Sequence, residues 1–563
     1  MKQISSLLTL GLLAVLSSCT DSSSSYQHSL DGIPFNSSEN GRWGMVTPDG
    51  TLLFDDEFRN APSPSFNGRF FYQNDKSQYE MYKIVDGRLS QIGEPFVDYI
   101  PFVYEKVTPA VRKGEPICLI DLDGNVVREL KEVGGHEVTS INAFSCGVAQ
   151  VQTTDGIGCV NTAGDLVVPA KYCMMHNFSD GVAIAIDNRY EDDIPGSIVD
   201  VIDTQGNVVG SFRWDKYDMW ATGYYRCGLF AVGNSDDEDQ QWGLINKQGE
   251  VVVRLSSKNQ GITDWTERHF IFRDDESHYG LRSIEGEDLI RAKYDGLTYA
   301  TTDGKLLWAS ISVGEDRNDY KLLNEKGEEV SHETYREVKP FYNEKVALVR
   351  VNRDWIFIDT KGQEVKSKAD IRNLAIDYEV AGTMRLYDDS GWTISSNYVD
   401  IDGLITAAAI TRDQIGAYGI NMKSQQIANA WFVSQDDETE APTPAEYHKD
   451  RLIYRTYFQD VIIEYDFYYN AYLTDANPAT GRQEWTNVAP AYVRVEFMGA
   501  KADANREEII QHLRPYVQQL GTSVLEDTSE VYRVAITDYT EMKVEPSESG
   551  VFVTLLHNED YYK

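Results

Sequence analysis

A pattern of hydrophobic and polar positions recurs along most of the chain and predicts antiparallel β-hairpins. Residues 242–249 read WGLINKQG, and residues 157–164 read IGCVNTAG. The aromatic or aliphatic start and the apolar pair predict a strand. Asn or Asp three residues before Gly predicts a tight turn, because the Asx side chain bonds its own backbone and Gly accepts a positive φ. Apolar pairs such as Val251-Val252 then begin a returning strand.

The glycines that close these turns mark a repeat with a spacing of 35–43 residues; they stand at positions 50, 87, 124, 164, 206, 249, 286, 327 and 362. A third element follows the hairpin, as in residues 144–149 (FSCGVA) and 178–183 (FSDGVA). Each repeat therefore predicts a small antiparallel sheet, which must stack on its neighbours to cover its faces. A degenerate tenth copy starts at Tyr418-Gly419. One closed ring, two smaller rings and a partly open array all fit this spacing.

The repeat resembles the WG-containing repeat family. The shared pattern is Trp/Tyr-Gly and two apolar residues, Asx-x-x-Gly, Val-x-Pro-x-x-Tyr, and Phe-x-x-Gly followed by an apolar residue and Ala. Residues 157–185 match it best and include Val168-Pro169-Ala170-Lys171-Tyr172, whereas only Trp43 and Trp242 keep the literal Trp-Gly pair. The resemblance implies a β-propeller. We therefore predict a mostly β chain, with an antiparallel propeller of about 8–10 WG-like units at 40–435 and a small α+β domain after it.

The C-terminal part follows a different pattern. Residues 436–446 are acidic and carry prolines, which predicts a linker. Residues 447–563 contain three strand-like runs at 492–497, 531–536 and 551–556. Between the first two, apolar residues from Ile509 to Leu520 fall on one helical face. Asn505 and Glu508 predict a capping box for this helix, and Gly521 predicts its end.

The N-terminus predicts export and lipid attachment. Lys2, the apolar run 7–16 and the small residues before Cys19 form an export signal that is too short to span a bilayer. The end of this pattern resembles the bacterial lipobox, which implies a signal peptide at 1–18 and lipidation of Cys19. Residues 19–39 are then expected to be a flexible spacer. The alternative is an ordinary secretory signal. We predict a lipoprotein of the bacterial cell envelope, at the outer membrane. The sequence does not indicate whether the anchored protein faces the periplasm or the outside.

Charge narrows the class of partner. The chain carries 89 acidic and 52 basic residues, a formal net charge of −37. Nucleic-acid binding requires Lys and Arg to neutralise phosphates, so no nucleic-acid partner is expected. For the same reason the lipid anchor is the only membrane contact expected. The hydrophobic fraction of 42% predicts a folded chain with a core.

Six cysteines are present: Cys19, Cys118, Cys146, Cys159, Cys173 and Cys227. The five that remain after Cys19 are an odd number, so at least one thiol stays outside an intramolecular bridge. We expect small buried thiols in strands, with at most one or two disulfides.

Motifs for catalysis or cofactor binding are absent from the sequence. No HExxH, Gly-x-Ser-x-Gly or P-loop occurs, so no catalytic, cofactor-binding or metal-binding residue is predicted. Residues 121–124 (DLDG) and 400–403 (DIDG) share only the start of a calcium loop, and at Asp121 a hairpin turn is favoured. The acidic run 236–239 is interpreted as a solvated loop. Packing is favoured over ligand stacking for Trp214, Trp220 and the aromatic run 465–469.

The function predicted from these features is a non-enzymatic interaction scaffold with an unknown protein or glycan partner in the envelope. The alternative is a glycan-binding protein or hydrolase with a site in the propeller channel or the tyrosine-rich C-terminal domain. Two facing carboxylates at glycosidase spacing would favour the alternative.

Overall fold

The computed structural model describes residues 29–37, 41–85, 87–187, 190–191, 194–195, 198–213, 225–233, 241–314, 317–342, 344–375, 392–408, 451–469 and 490–557. They belong to two regions, a repeat region that ends at Ser396 and a C-terminal region that begins at Asn397. Cys19, the possible tenth repeat and the predicted linker 436–446 lie outside the described residues.

The repeat region contains nine antiparallel repeat units, here called blades, one for each turn glycine. The strands of blades 4 and 5 pair with each other and form one continuous sheet. Blades 1–3 contain β1 (Leu30–Asn36), β2 (Trp43–Val46), β3 (Leu52–Phe58); β4 (Ser65–Phe66), β5 (Phe70–Gln73), β6 (Tyr79–Val85), β7 (Arg88–Phe96); and β8 (Asp98–Tyr99), β9 (Val107–Val111), β10 (Cys118–Asp121), β11 (Val126–Glu129). Blades 4–6 contain β12 (Glu132–Val133), β13 (His136–Asn142), β14 (Val148–Thr153), β15 (Gly156–Asn161), β16 (Leu166–Met175); β17 (Val182–Asp187), β18 (Tyr190–Glu191), β19 (Ile194–Pro195), β20 (Ile198–Asp203), β21 (Val208–Arg213); and β22 (Leu229–Gly233), β23 (Trp242–Asn246), β24 (Val251–Ser256). Blades 7–9 contain β25 (Gly261–Trp265), β26 (His269–Arg273), β27 (Tyr279–Ser283), β28 (Asp288–Tyr294); β29 (Gly296–Tyr299), β30 (Leu306–Ser312), β31 (Asn318–Asn324); and β32 (Glu337–Val338), β33 (Val346–Val351), β34 (Asp354–Asp359), β35 (Glu364–Val365). Two further strands follow, β36 (Asn373–Leu374) and β37 (Thr393–Ser395).

Each blade has an inner edge at its first strand and an outer edge at its last strand. The outer strands are the exposed ones, since all four residues of β11 are exposed and Val208 and Val251 also face solvent. Apolar side chains fill the space between successive blades instead. Phe212 of blade 5 packs with Phe230 of blade 6, and Ile271 of blade 7 packs with Leu307 of blade 8. Stacking therefore buries the blade faces, as the repeat predicts.

Seven of the nine turn glycines lie close to the preceding blade, whereas a Cβ at Gly87 or Gly286 would meet nothing within 4 Å. A Cβ at Gly124 of blade 3 would lie 3.2 Å from Ile92 of blade 2, and one at Gly327 of blade 8 would lie 3.2 Å from Ile290 of blade 7. A side chain at Gly206 of blade 5 would approach the Val167 carbonyl of blade 4 to 3.0 Å. Gly is thus required at such positions for two reasons: it accepts a positive φ, and its lack of a side chain lets the turn approach the preceding blade closely.

Blade 1 closes the ring against blade 9. A Cβ at Gly50 of blade 1 would lie 3.2 Å from the ring of Phe357 in blade 9. The Ser367 hydroxyl donates to the Gly50 carbonyl, 2.5 Å away. Strand β36, which follows blade 9, pairs with β1 through Asn36 opposite Asn373. The described repeats therefore form one closed, propeller-like ring of nine blades, which selects among the three arrangements the spacing allowed.

The start of the ring differs from the prediction. Strand β1 begins at Leu30, inside the stretch 19–39 that was expected to be a spacer. Ile33 and Phe35 are fully or almost fully buried, and β1 pairs with β2, β4 and β36. The short run LDGIPF lacks a repeat signature because its partners come from both ends of the ring, and a local pattern cannot reveal such pairing.

The C-terminal region is one antiparallel sheet with helices on one face. Its elements are α1 (Ile401–Ala407), β38 (Arg451–Phe458), β39 (Val461–Tyr469), β40 (Pro490–Met498), α2 (Ala500–Ala504), α3 (Arg506–Leu520), β41 (Ser523–Asp527), β42 (Tyr532–Thr537), β43 (Thr540–Pro546) and β44 (Gly550–His557). The strand order is β38-β39-β40-β44-β43-β42-β41. Leu513 and Val517 of α3 are buried in one core with alternate sheet residues such as Phe497 and Val553. The three predicted strands belong to this sheet, as parts of β40, β42 and β44, and the predicted helix is α3.

Two details of the C-terminal prediction are wrong. Residues 397–408, assigned to the propeller, belong to the C-terminal region, where Leu404 and Ile405 of α1 enter its core. Asn505 makes no capping bond to α3. Its amide instead donates to the carbonyls of Lys501 and Asn397, which ties the start of α3 to the chain before α1.

Candidate functional site

In six of the nine blades, the turn that closes the outer hairpin has the same hydrogen bonds. In blade 3, Asp121 Oδ1 accepts from the backbone N–H groups of Asp123 and Asn125, each at 2.9 Å. The same pair of bonds recurs in the turns that begin at Asn161, Asp203, Asn246, Asn324 and Asp359. This is the Asx turn that the Asn/Asp-x-x-Gly spacing predicts.

The third residue of each such turn is exposed, and its chemistry changes around the ring. These residues, here called the displayed residues, are Asp123, Ala163, Gln205, Gln248, Lys326 and Lys361. A fixed backbone therefore presents a variable side chain at regular intervals.

A second set of turns lies on the same side of the ring; two of them join β13 to β14 in blade 4 and β16 to β17 where blade 5 begins. Antiparallel strands alternate in direction, so the first and third connections of a four-stranded sheet fall at the same edge. Cys146-Gly147 and Asp180-Gly181 both have positive φ, as two-residue hairpin turns require. We call the side that carries both sets of turns the turn face.

Hydrogen bonds link these inner turns from blade to blade. Ser145 of blade 4 donates to the Phe178 carbonyl of blade 5. Ser179 of blade 5 accepts from the Tyr225 N–H at 2.8 Å, in the segment that leads into blade 6. The Asp180 carboxylate accepts from the Cys227 N–H at 2.6 Å. The polar side chain in one inner turn therefore holds the inner turn of the next blade in place through hydrogen bonds to its backbone.

A buried ion pair continues this network into blades 6–8. The side chains of Arg226 and Asp264 are only 6% and 5% exposed and form a salt bridge. The Arg226 guanidinium also donates to the Thr302 carbonyl at 3.0 Å, and the Trp265 indole donates to the Arg226 carbonyl at 2.8 Å. Glu344 of blade 9 in turn accepts from the Thr302 N–H at 2.9 Å. Buried charges are tolerated here because each is paired and hydrogen-bonded.

Burial shifts the protonation of two groups on the turn face. It raises the pKa of Asp180 to about 6, while the Cys227 N–H and Arg226 oppose the shift. Burial and the neighbouring Arg268 lower the pKa of His269, and its Nδ1 lies 2.8 Å from the Tyr299 hydroxyl. His269 is therefore neutral at pH 7.

Sequence reasoning missed Arg226, Asp264 and Glu344. Arg226 and Glu344 stand in the turns of later repeats that correspond to the turn at Ser179-Asp180, so the repeat alignment contains their positions. The burial of the Arg226 and Asp264 charges depends on neighbouring blades, which the repeat itself does not encode.

The residues singled out in the sequence have mainly structural environments. The Asp400 carboxylate caps α1 by accepting from the Gly403 N–H at 3.2 Å, and Tyr465 lies in the C-terminal core. Cys118, Cys146, Cys159, Cys173 and Cys227 are all free thiols. Cys19, Trp214, Trp220 and the acidic run 236–239 lie outside the described residues.

Within the part of the chain that the structure describes, no three potential ligands cluster to hold a metal ion. No helix there has the length and apolar content needed to cross a membrane.

Comparison with family models gives a match to the WG-containing repeat at residues 157–188. Residues 157–188 form a WG repeat, which spans the last two strands of blade 4 and the first strand of blade 5. The match begins in β15 and continues through β16 into β17, so it spans the turn at Gly164 and the inner turn at Asp180. Blades 3, 5, 6, 8 and 9 share its Asx turn and the close approach of the turn glycine to the preceding blade. No curated protein matches the sequence.

Comparison with solved structures finds similarity to Porphyromonas gingivalis dipeptidyl peptidase 4. The identity is 10% and the TM-score is 0.31, and the match covers 62% of this chain and 61% of that one. The chain thus matches less than two thirds of that protein. The WD40 domain of Sif2 is similar at 10% identity and a TM-score of 0.27, over 51% and 91% of the two chains. The WD40 propeller domain of Doa1 is similar at 11% identity and a TM-score of 0.25, over 61% and 97%.

Proposed function

We propose that this protein is a lipid-anchored interaction scaffold of the bacterial cell envelope, which binds its partner on the turn face of the WG-repeat ring. The observation that carries the proposal is the set of displayed residues. A scaffold needs a rigid frame and variable contacts. The Asx turns supply the frame, and the residues from Asp123 to Lys361 supply the variation.

The inner turns support a structural role for the charged groups beneath this surface. Asp180 binds a backbone N–H, Arg226 binds Asp264, and Glu344 binds the Thr302 N–H. Each of these charged groups has its partner inside the ring. A glycosidase would need two carboxylates facing a substrate with a water or nucleophile between them. The scaffold is therefore our preferred function over the envelope glycan-binding or hydrolase alternative.

The N-terminal sequence supports the location. Residues 1–18 have the order of a lipoprotein export signal, and Cys19 stands where the lipid is attached in proteins with a lipobox. Attachment there would leave the ring outside the bilayer, with its partner drawn from envelope proteins or glycans.

The test is affinity capture from native envelope extract on immobilised residues 26–563. We expect the wild-type ring to retain one component in fixed stoichiometry, and Lys326→Glu with Lys361→Glu to lose it, because both lysines are displayed residues. Lys366→Glu, an exposed lysine outside the Asx turns, is the matched control and should retain the component. If the double variant and the wild type retain the component equally, the partner does not bind on the turn face.

A further inference from the structure

The imidazole of His269 lies at the joint between blades 7 and 8, beneath the turn face. Its side chain is only 2% exposed. Its Nδ1 atom lies 2.8 Å from the hydroxyl of Tyr299 in blade 8. A Cβ added at Gly304, in the inner turn of blade 8, would lie 2.8 Å from the Cε1 atom of the imidazole. A change in the charge of this ring therefore acts directly on the contact between the two blades.

The second ring nitrogen faces a carboxylate across the same joint. The Nε2 atom is buried, and within the described part of the chain it has no hydrogen-bond partner. The Oε2 atom of Glu325 lies 3.8 Å away, too far for a hydrogen bond but within the range of an ion pair. Whichever nitrogen holds the proton of the neutral ring, the protonated ring carries a positive charge and an N–H group toward this carboxylate.

Glu325 already has a cationic partner, Arg268. The Nη2 atom of Arg268 lies 3.0 Å from the Oε2 atom of Glu325 and donates to the carbonyl of Asp303 at 3.3 Å. Arg268 therefore holds both the outer turn of blade 8, which contains Glu325, and the inner turn, which contains Asp303. The Arg268 side chain is 51% exposed, so water can solvate its charge when it leaves the carboxylate.

The other charged groups around the imidazole have partners of opposite charge. Arg226, in the segment that leads into blade 6, forms the buried ion pair with Asp264. Lys305 of blade 8 pairs with the carboxylate of Asp303. Tyr299 is neutral, because burial raises its pKa well above the ordinary value. A new charge on the imidazole would therefore act first on the carboxylate of the outer turn.

The environment of His269 keeps the imidazole neutral until the solution becomes acidic. Burial, Arg268 and Arg226 lower the pKa of His269 below its ordinary value of 6.5. Glu325 opposes this shift, because a carboxylate stabilises the imidazolium. Two cations, the imidazolium and the guanidinium of Arg268, then compete for one carboxylate.

We propose that His269 is a proton-operated switch at the joint between blades 7 and 8: in acid the imidazolium takes the Glu325 carboxylate from Arg268 and releases Arg268 from blade 8. The proton comes from solvent, and a single carboxylate changes partner. Lys326, one of the displayed residues, follows Glu325 directly in the outer turn, so the exchange alters the turn face at this blade. Its effect on partner binding rests on the function proposed above, whereas the exchange itself does not.

The protonation of His269 can be followed by carbon-13 NMR of the chain 26–563 labelled at histidine Cε1, with His269→Gln identifying the signal. Glu325→Gln removes the carboxylate that stabilises the imidazolium, so His269 should titrate at lower pH than in the wild type. Arg268→Gln removes the competing cation and should move the titration to higher pH. His332→Gln, at a fully exposed histidine beside another glutamate, is the control and should leave the His269 titration unchanged.

The release of Arg268 can be followed by hydrogen exchange and mass spectrometry, with rates corrected for the intrinsic effect of pH. Peptides that cover turns 301–304 and 324–327 should lose protection in the wild type as the pH falls through the His269 titration. His269→Gln cannot take up the proton and should keep the protection. Turn 359–362 of blade 9 is the internal control and should be unaffected in both proteins.

Two results would overturn the proposal. One is a His269 titration that neither Glu325→Gln nor Arg268→Gln moves, or a His269 that stays neutral down to the pH at which the ring unfolds. The other is equal loss of protection in the wild type and His269→Gln. If His269→Gln does not fold, Glu325→Gln supplies the same comparison, because it leaves no carboxylate to exchange, and acid-dependent exchange in that variant would be equally contradictory.

Discussion

Asp180 joins two inner turns through a carboxylate that burial makes hard to ionise. Its oxygen accepts from the Cys227 N–H, and its pKa in the folded ring is about 6 against an ordinary value of 3.8. The folded state therefore holds the proton more tightly than the unfolded state. This contribution to stability is fully present below the unfolded pKa near 4 and is lost as pH rises through about 6.

Asp180→Asn should stabilise the ring at pH 7.5, because the amide oxygen can still accept from Cys227 without carrying a charge. The expected gain is about 1–3 kcal/mol, the scale set by a shift of about two pKa units in a largely buried group. The check is the melting temperature of both proteins between pH 4 and 8. The difference should shrink as pH falls through 6, and parallel curves would contradict this account of Asp180.

Cys19 is the residue on which the proposed location depends. Cys19→Ser should move the protein from the membrane fraction to the soluble fraction or stop its processing, since serine cannot form the thioether that carries the lipid. Fractionation and mass analysis of the mature N-terminus measure both outcomes. Normal cleavage with full membrane retention would place the anchor elsewhere. Cys173→Ser, at an exposed thiol within the ring, is the control and should stay in the membrane fraction.

The Asx-x-x-Gly turn is the element that the sequence predicts most completely. Its hydrogen bonds follow from spacing alone, because Asx, the turn residues and Gly are local to one another. The contact that Gly164 makes with Arg128 and Leu130 of blade 3 is different, since it joins residues more than thirty positions apart. The same reason explains why the buried pair Arg226–Asp264 and the role of β1 were not predictable. Long-range partners leave no periodic signal in a single sequence.

Gly164→Ala should destabilise the ring more than Gly286→Ala does. Both glycines close tight turns with positive φ, at +82° and +97°, but a Cβ at Gly164 would overlap the Arg128 side chain, whereas one at Gly286 meets nothing within 4 Å. Backbone strain costs each variant about 1–2 kcal/mol, and crowding adds about 1–3 kcal/mol at Gly164 only. Urea denaturation measures the difference. Equal losses in the free energy of unfolding would mean that the turn at Gly164 does not pack closely against blade 3.

At the scale of the whole molecule, the chain divides into two regions with separate cores. The C-terminal core includes Ile401, Leu404 and Ile405 of α1, which lie before the predicted linker. A boundary placed at 446 from composition alone therefore removes part of the core. Acidic residues and prolines indicate where a chain cannot form regular structure, but they do not show which core the residues on either side join.

Fragments 397–563 and 447–563 should differ in stability. The longer fragment retains α1 and is expected to melt cooperatively. The shorter one loses three buried aliphatic side chains, each worth about 1.5–3 kcal/mol on burial, and should melt at a markedly lower temperature or not fold. Thermal denaturation followed by circular dichroism compares them. Identical melting would show that α1 contributes nothing to this core.

Closure of the nine-blade ring is the central structural claim, and the contact between β1 and β36 tests it most directly. Asn36 and Asn373 face each other in register, and their side chains are joined by a hydrogen bond of 2.9 Å across 337 positions of sequence. Asn36→Cys with Asn373→Cys should therefore form a disulfide under mild oxidation, identified by mass spectrometry of the joined peptides. The bond should also raise the stability of the ring by about 5–6 kcal/mol, the scale that chain entropy sets for a loop of this length. Asn36→Cys with Gln248→Cys, which places the second thiol in blade 6, should remain unbridged. An open or divided array would leave both pairs reduced, or bridge them equally.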